Sequence, residues 1–460
     1  MPITVSRHYL TINGRRVHYR RAGKGPPLLM VHQSPRSSAE YQELMQQWGA
    51  HFTCIAPDTP GFGQSQPLAK ATPDINDYAD ALAEFVSAVG LDRVPAYGFH
   101  SGAIILITAL KRHPALFTGI AAGGYAVWTE AESKAFGENY TPPFLPLPYG
   151  EHLIWGWNRI LEQSWFFPWY DTRPETRLTS AHDDPARVQD IMMEILDAGD
   201  SFRLGYAAVL QAPRDVPPPD SITPPVLITA YDSDPLQAHI DRLGAMPANW
   251  LAFKVATPAE HLAESLSFLR SLESDPCAPL AQDPDQGFMH IRTDRFDGLI
   301  HWHGRDSATA VTIPAPGRSA ALINGAAFDP PGHGLSDDWQ GAAPTEWQAW
   351  RDVLEAACIQ RGFTAAAHEN APQGDPGQLF PDLAPDRFGA HLTKAWAIVR
   401  ARHFFDPWYA AGASHAAGFE PADIAPGRLA MEHLALLQAR SALAFAQALT
   451  TADGQSFVDP

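Results

Sequence analysis

The chain reads as an α/β protein: a mainly parallel sheet with a helical cap, followed by a second, partial α/β repeat. Three observations predict it. Short apolar runs bounded by turn residues alternate with helical periodicity over the first 275 residues, a Pro- and Trp-rich stretch interrupts that alternation between residues 140 and 219, and fragments of the first half recur after residue 285. With 460 residues, 45% of them hydrophobic and 18% charged, the chain has ample material for a buried core.

Residues 7–21 alternate around Asn13-Gly14, a pair suited to a tight hairpin turn with positive φ at both central positions. Residues 27–31 (PLLMV) and 52–57 (FTCIAP) are apolar runs expected of strands buried on both faces, with a helix between them. Thr72 and Pro73 read as N-cap and N1 of a helix whose apolar face is Tyr78, Leu82, Phe85, Val86 and Val89, ending at Gly90. A strand over 93–98 leads into a helix over 101–113, and strands over 225–231 and 250–256 are each followed by a helix, the βαβ alternation of a parallel sheet. The interrupting stretch, about 140–219, reads as an inserted cap, and its WFFPWY run offers Trp165, Trp169 and Tyr170 to line a substrate pocket.

The charge balance, Lys+Arg 33 against Asp+Glu 51 for a net −18, repels phosphate backbones and anionic lipid, which argues against nucleic-acid and membrane roles. Cys54, Cys277 and Cys358 are odd in number and widely spaced, so neither a disulfide framework nor a thiolate metal cluster is expected, as suits a reducing cytosol. Residues 1–10 lack a signal-peptide pattern, and the longest apolar run, 103–110, is far shorter than the ~20 residues of a spanning helix. The expected location is therefore cytoplasmic. His301-Trp302-His303 has no third ligand nearby in sequence, so no metal site is read from it and no cofactor is expected. Oligomerisation stays open.

Four segments then fall in order: His32-Gln33-Ser34-Pro35 after one strand, Asp58-Thr59-Pro60-Gly61-Phe62-Gly63-Gln64-Ser65 after the next, Gly98-Phe99-His100-Ser101-Gly102 at a strand-to-helix turn, and Asp232-Ser233-Asp234-Pro235 after a late strand. As a set they resemble the α/β-hydrolase superfamily over about residues 7–272. The resemblance makes residues 1–275 an α/β-hydrolase domain and the GFHSG turn its nucleophile elbow. The middle residue there is His100, where the family usually carries Ser, Cys or Asp, and Ser101 stands one place too late. By the same resemblance Asp234 is the acid that orients a base, Ser101 and Gln33 offer oxyanion-hole N–H groups, and His32 lies near substrate. The family's histidine after the last strand has no clear counterpart. His261 is the histidine nearest that place, and His152 in the cap is a second candidate base.

The tail repeats fragments of this pattern. Residues 329–337 (DPPGHGLSD) echo the motif at Asp58, residues 388–392 match 149–153, Trp396 matches Trp157, His391 matches His152, and FFDPWY at 404–409 matches FFPWY at 166–170. Residues 285–460 are thus expected to be a degenerate hydrolase-like repeat with cap-like helices, including one long helix near 429–450. Residues 364–377 contain no elbow.

The reading is an enzyme acting on a small, largely apolar molecule with a carbonyl or ester group, His100 taking the nucleophile's place. Its chemistry is either hydrolytic or a proton abstraction, elimination or C–C cleavage with His100 as base. The alternative is a non-catalytic ligand-binding or scaffold protein derived from a hydrolase.

Overall fold

The computed structural model describes residues 3–274, 283–304 and 308–450. They form two compact units, Met1–Leu145 with Asn158–Gln282, and Pro146–Trp157 with Asp283–Pro460.

In the first unit β1 (Val5–Ile12) and β2 (Arg15–Ala22) pair as the expected antiparallel hairpin, with Asn13 and Gly14 at φ 51° and 78°. β3 (Pro27–Val31), β4 (Thr53–Pro57), β5 (Val94–Phe99), β6 (Phe117–Gly123), β7 (Val226–Tyr231) and β8 (Trp250–Val255) complete a sheet of order β1-β2-β4-β3-β5-β6-β7-β8. Every pair from β4 to β8 is parallel. Alternate residues of β3 supply two cores, as a strand buried on both faces must: Leu29 and Val31 join one, Leu28 and Met30 the other.

The helices of this half are α1 (Gln42–Trp48), α2 (Ile75–Ala88), α3 (Ser101–Arg112), α4 (Glu130–Asn139), α5 (Glu151–Gln163), α6 (Pro185–Ala198), α7 (Phe202–Leu210) and α8 (Pro258–Arg270). Helices α5 to α7 fall in the inserted stretch, and α4 lies just before it. α2 starts later than its sequence suggests: Asp74, not Thr72, caps it, in a capping box with Asp77. The sequence reading missed β6, which is built from small residues. A Cβ on Gly123 would lie 2.4 Å from the Phe99 ring and 2.6 Å from His261, so the strand surrenders apolar bulk to let those rings approach.

The second unit contains β9 (Gln286–Arg292), β10 (Asp297–His303), β11 (Ala310–Ile313), β12 (Ala327–Phe328) and β13 (Ala365–His368), with α9 (Trp347–Arg361), α10 (Pro376–Leu379), α11 (Ala390–Arg402), α12 (Pro426–Gln438) and α13 (Ala442–Leu449). Its sheet runs β9-β10-β12-β11-β13, the order and strand senses of β1-β2-β4-β3-β5. Its own core gathers Ile300, Ile313, Phe328, Trp350, Leu354 and Phe445. The single tail helix expected near 429–450 is two helices, because the chain breaks at Ala439–Ser441 and the Ser441 N–H goes to Gly332 O at 3.3 Å.

Residues 146–157, expected within the first domain's cap, group instead with the second unit. Two tryptophans account for it. Trp157 Nε1 donates to Arg387 O at 3.0 Å and its ring meets His391 edge-on, while Trp396 Nε1 donates to Pro148 O at 3.2 Å and its ring meets His152 edge-on. The contact is reciprocal between matched residues.

The two DxPGxGxS turns are organised alike. Asp58 accepts from Ser38 N and Gln64 N, each at 2.9 Å, and pairs with His18 Nδ1 at 2.8 Å. Asp329 accepts from Ala320 N at 2.6 Å and Leu335 N at 2.9 Å, and pairs with His301 Nδ1 at 2.7 Å. His303 Nε2 bonds Ala320 O at 2.7 Å, so the two histidines of the HWH run have separate partners. Among the described residues no group of three or more His, Cys, Asp or Glu is placed to hold a metal ion, and no helix is long and apolar enough to cross a membrane. Cys54 and Cys358 are free thiols, and Cys277 lies outside the described residues.

Candidate active site

The elbow forms because the chain leaves β5 and enters α3 within one residue. That residue, His100, has φ +47° and ψ −109°, a conformation a side-chain-bearing residue adopts only when its surroundings enforce it. Its N–H donates to Gly123 O at 2.8 Å, and its carbonyl accepts from Ile104 N at 3.1 Å. Gly98 and Gly102 make the turn feasible. A Cβ on Gly102 would sit 1.9 Å from Val31 O, and one on Gly98 2.6 Å from the Gly102 carbonyl carbon.

The elbow presents the imidazole to a cavity of about 160 Å³. His100 Nε2 lies 2.9 Å from Asp234 Oδ1, so Nε2 carries the proton and Nδ1 is left with a lone pair and no hydrogen bond among the described residues. Asp234 sits just beyond β7, and its Oδ1 also accepts from Leu236 N at 2.8 Å. Burial alone would raise its pKa, but His100 and the Leu236 N–H outweigh burial and hold the carboxyl below the ordinary range. Phe99 stacks on the His100 ring at 4.1 Å between centroids and fixes its plane.

The other expected site residues are placed differently. Ser101 lines the cavity, yet its Oγ accepts from Ser34 N at 3.1 Å and is held in the loop. Gln33 lines it too, but both donors offered for an oxyanion face Glu40: the backbone N–H at 2.7 Å and Nε2 at 3.0 Å. Glu40 is buried, which pushes its pKa up to about 7 against the opposing pull of Arg36 and Gln33. His32 does not line the cavity. Its Nδ1 bonds Gln33 O and its Nε2 accepts from Thr59 N, both at 2.9 Å, so it ties two loops together.

His261, expected as a candidate base, is bonded to other groups than Asp234. Both of its ring nitrogens are engaged beneath the elbow, Nε2 with the Tyr97 hydroxyl at 3.0 Å and Nδ1 with Thr229 Oγ1 at 2.7 Å, and burial drives its pKa down to about 4. His152 belongs to the second unit, where its Nδ1 accepts from Leu147 N at 3.1 Å. Its ring meets Trp396 edge-on.

The aromatic wall is also made by other residues than expected: Trp128, Tyr140, Phe167 and Tyr206 line the cavity. Trp169 Nε1 donates to Tyr140 O at 3.1 Å and Tyr170 meets the Tyr140 ring edge-on, so these two back the wall, while Trp165 Nε1 donates to His182 O at 2.7 Å. Phe167, one place before Pro168 in the same run, is the signal that could have been taken. Replacing Phe167 with Ala is therefore expected to raise KM for phenyl acetate by about tenfold or more, from the ~1.5–3 kcal/mol of a buried aromatic contact, whereas Trp169→Ala lowers Tm with a smaller change in KM. Equal effects of the two on KM would contradict this division.

Residues 26–137 match the family model described as the alpha/beta hydrolase fold. The first unit has the α/β-hydrolase fold. Over 136 residues, 29% of this chain, the sequence is 31% identical to haloalkane dehalogenase 2 of Mycobacterium tuberculosis, covering 47% of that protein. Over 102 residues it is 35% identical to the soluble epoxide hydrolase of Corynebacterium sp. (strain C12), covering 35% of it and 22% of this chain. The chain thus spans about half or less of the length of these relatives. A solved epoxide hydrolase aligns with TM-score 0.45 and 18% identity over 58% of this chain and 99% of its own. The matched residues 26–137 include the turn at Asp58 and the elbow at His100.

Proposed function

We propose that the α/β-hydrolase unit is an enzyme acting on a small, largely apolar carbonyl or ester compound, with His100 as its general base. The observation that carries this reading is the 2.9 Å bond from His100 Nε2 to Asp234 at a strained elbow residue facing an aromatic-lined cavity. Ionised Asp234 fixes the tautomer and stabilises the imidazolium once a proton arrives. Nδ1 then takes a proton from a carbon beside the carbonyl, or from a water attacking an ester. Negative charge developing on the substrate oxygen meets the first turn of α3, whose leading N–H groups have no intrahelical acceptor. Names of relatives, a dehalogenase and an epoxide hydrolase, support chemistry on small organic molecules.

Ser101 is not the nucleophile in this reading, because its hydroxyl is turned to Ser34. Treatment with a fluorophosphonate is expected to leave Ser101 unmodified, while a panel of small ketones incubated with the protein in D2O gains deuterium beside the carbonyl. A fluorophosphonate adduct on Ser101 would overturn the assignment.

A further inference from the structure

The second unit contains a cavity of about 260 Å³ that the proposed chemistry does not use. Its position corresponds to that of the first. Val31 aligns with Gly98 across β3 and β5, and Ile313 with His368 across β11 and β13. Counting two residues beyond each strand, Gln33 corresponds to Ala315 and His100 to Asn370. Residues 149–170 and 388–409 match in one unbroken register, which sets Gln163 against Arg402. Gln33, His100 and Gln163 line the first cavity, and Ala315, Asn370 and Arg402 line the second.

Catalysis has no equivalent there, since Asn370 stands for the base and the described second sheet has no strand beyond β13 to carry an acid. Charge is what the second cavity has instead. Arg318 Nε is paired with Glu369 at 2.8 Å, and Glu432 is shared by Arg428 at 2.9 Å and His403 at 2.8 Å. Arg402 has no such partner: its Nε and Nη2 are buried without a hydrogen bond. Burial lowers its pKa to about 10, so it stays charged at neutral pH. Three guanidinium groups against two carboxylates leave one positive charge uncompensated in a space open to a ligand.

We propose that the second unit is a duplicate of the α/β-hydrolase unit whose pocket binds a small monocarboxylate, held by the Arg402 guanidinium. A carboxylate matches both the planar fork and the single surplus charge, and Glu432 on the cavity wall, with Glu369 behind Arg318, disfavours a dianion. Leu322 and Val399 on the cavity wall favour an apolar body on the acid.

Calorimetric titration of the full-length protein with benzoate, benzamide and inorganic phosphate tests this. Benzoate is expected to bind saturably, benzamide and phosphate at least roughly tenfold more weakly, and Arg402→Met and Arg402→Gln to weaken benzoate by a similar factor. His100→Ala is expected to leave benzoate binding in place. Without ligand, both Arg402 variants should unfold at or above the wild-type temperature, because they remove a buried charge that lacks a partner. Benzoate binding unchanged in the Arg402 variants, lost in His100→Ala, or matched by benzamide or phosphate would overturn the proposal. So would a marked fall in Tm in both variants, which would make Arg402 a structural group.

Discussion

His100→Ala is expected to lower turnover of a carbonyl substrate by ~10²–10⁴-fold with the fold intact, while Ser101→Ala stays within roughly tenfold. The asymmetry follows from the elbow: His100 faces the cavity with Nδ1 open, whereas Ser101 Oγ is bonded to Ser34. Asp234→Asn should approach the His100→Ala loss, because an amide at that position no longer selects the Nε2–H tautomer. Its carboxyl lies below the ordinary range and is therefore ionised throughout the neutral region, so Asp234 is not the group that titrates there. Steady-state kinetics from pH 5 to 9, with circular dichroism as the fold control, decide it. Serine-dependent turnover, or full activity in His100→Ala, would refute the general-base assignment.

The largest effects on stability are expected at the two turn aspartates. Asp58 is buried, which by itself would raise its pKa, but His18, Arg20 and backbone donors outweigh burial and hold it below the ordinary range. Asp329 is held down in the same way by His301 and the Ala320 and Leu335 N–H groups. Alanine at either position leaves several buried donors without their acceptor, at a cost of about 1–3 kcal/mol for each donor left unpaired. Because both pKa values are depressed, this stabilisation is present above the usual carboxylate range and fades as pH falls through the folded values. Urea denaturation of Asp58→Ala and Asp329→Ala, each beside the wild type, at pH 7 and about pH 2 measures both statements. A loss under about 1 kcal/mol at Asp329 would show that the second turn is not held as the first is.

The sequence was most legible where local chemistry dictates the backbone. Asn13-Gly14 gave the hairpin, the PLLMV run gave β3, and the paired glycines around Phe99-His100-Ser101 gave the elbow. It was least legible where tertiary contacts set the residue type. β6 reads as a featureless small-residue stretch because Phe99 and His261 occupy the space its side chains would fill. The WFFPWY run showed that aromatics gather in the cap, but not that Phe167 faces the cavity while Trp169 and Tyr170 pack on Tyr140 and Trp165 bonds His182. Side-chain direction in an irregular loop has no period to read.

By itself the sequence determined the parallel sheet, the elbow and the residue at its apex, because each depends on apolar periodicity or on a Cβ clash within a few residues. Only the tertiary structure decided the partners of the candidate groups. Asp234 reaches His100 because β6 separates β5 from β7 in the sheet, His261 is spent on Tyr97 and Thr229, and Gln33 is spent on Glu40. Those pairings join residues far apart in the chain, where strand order and register fix the distance and no local pattern encodes it.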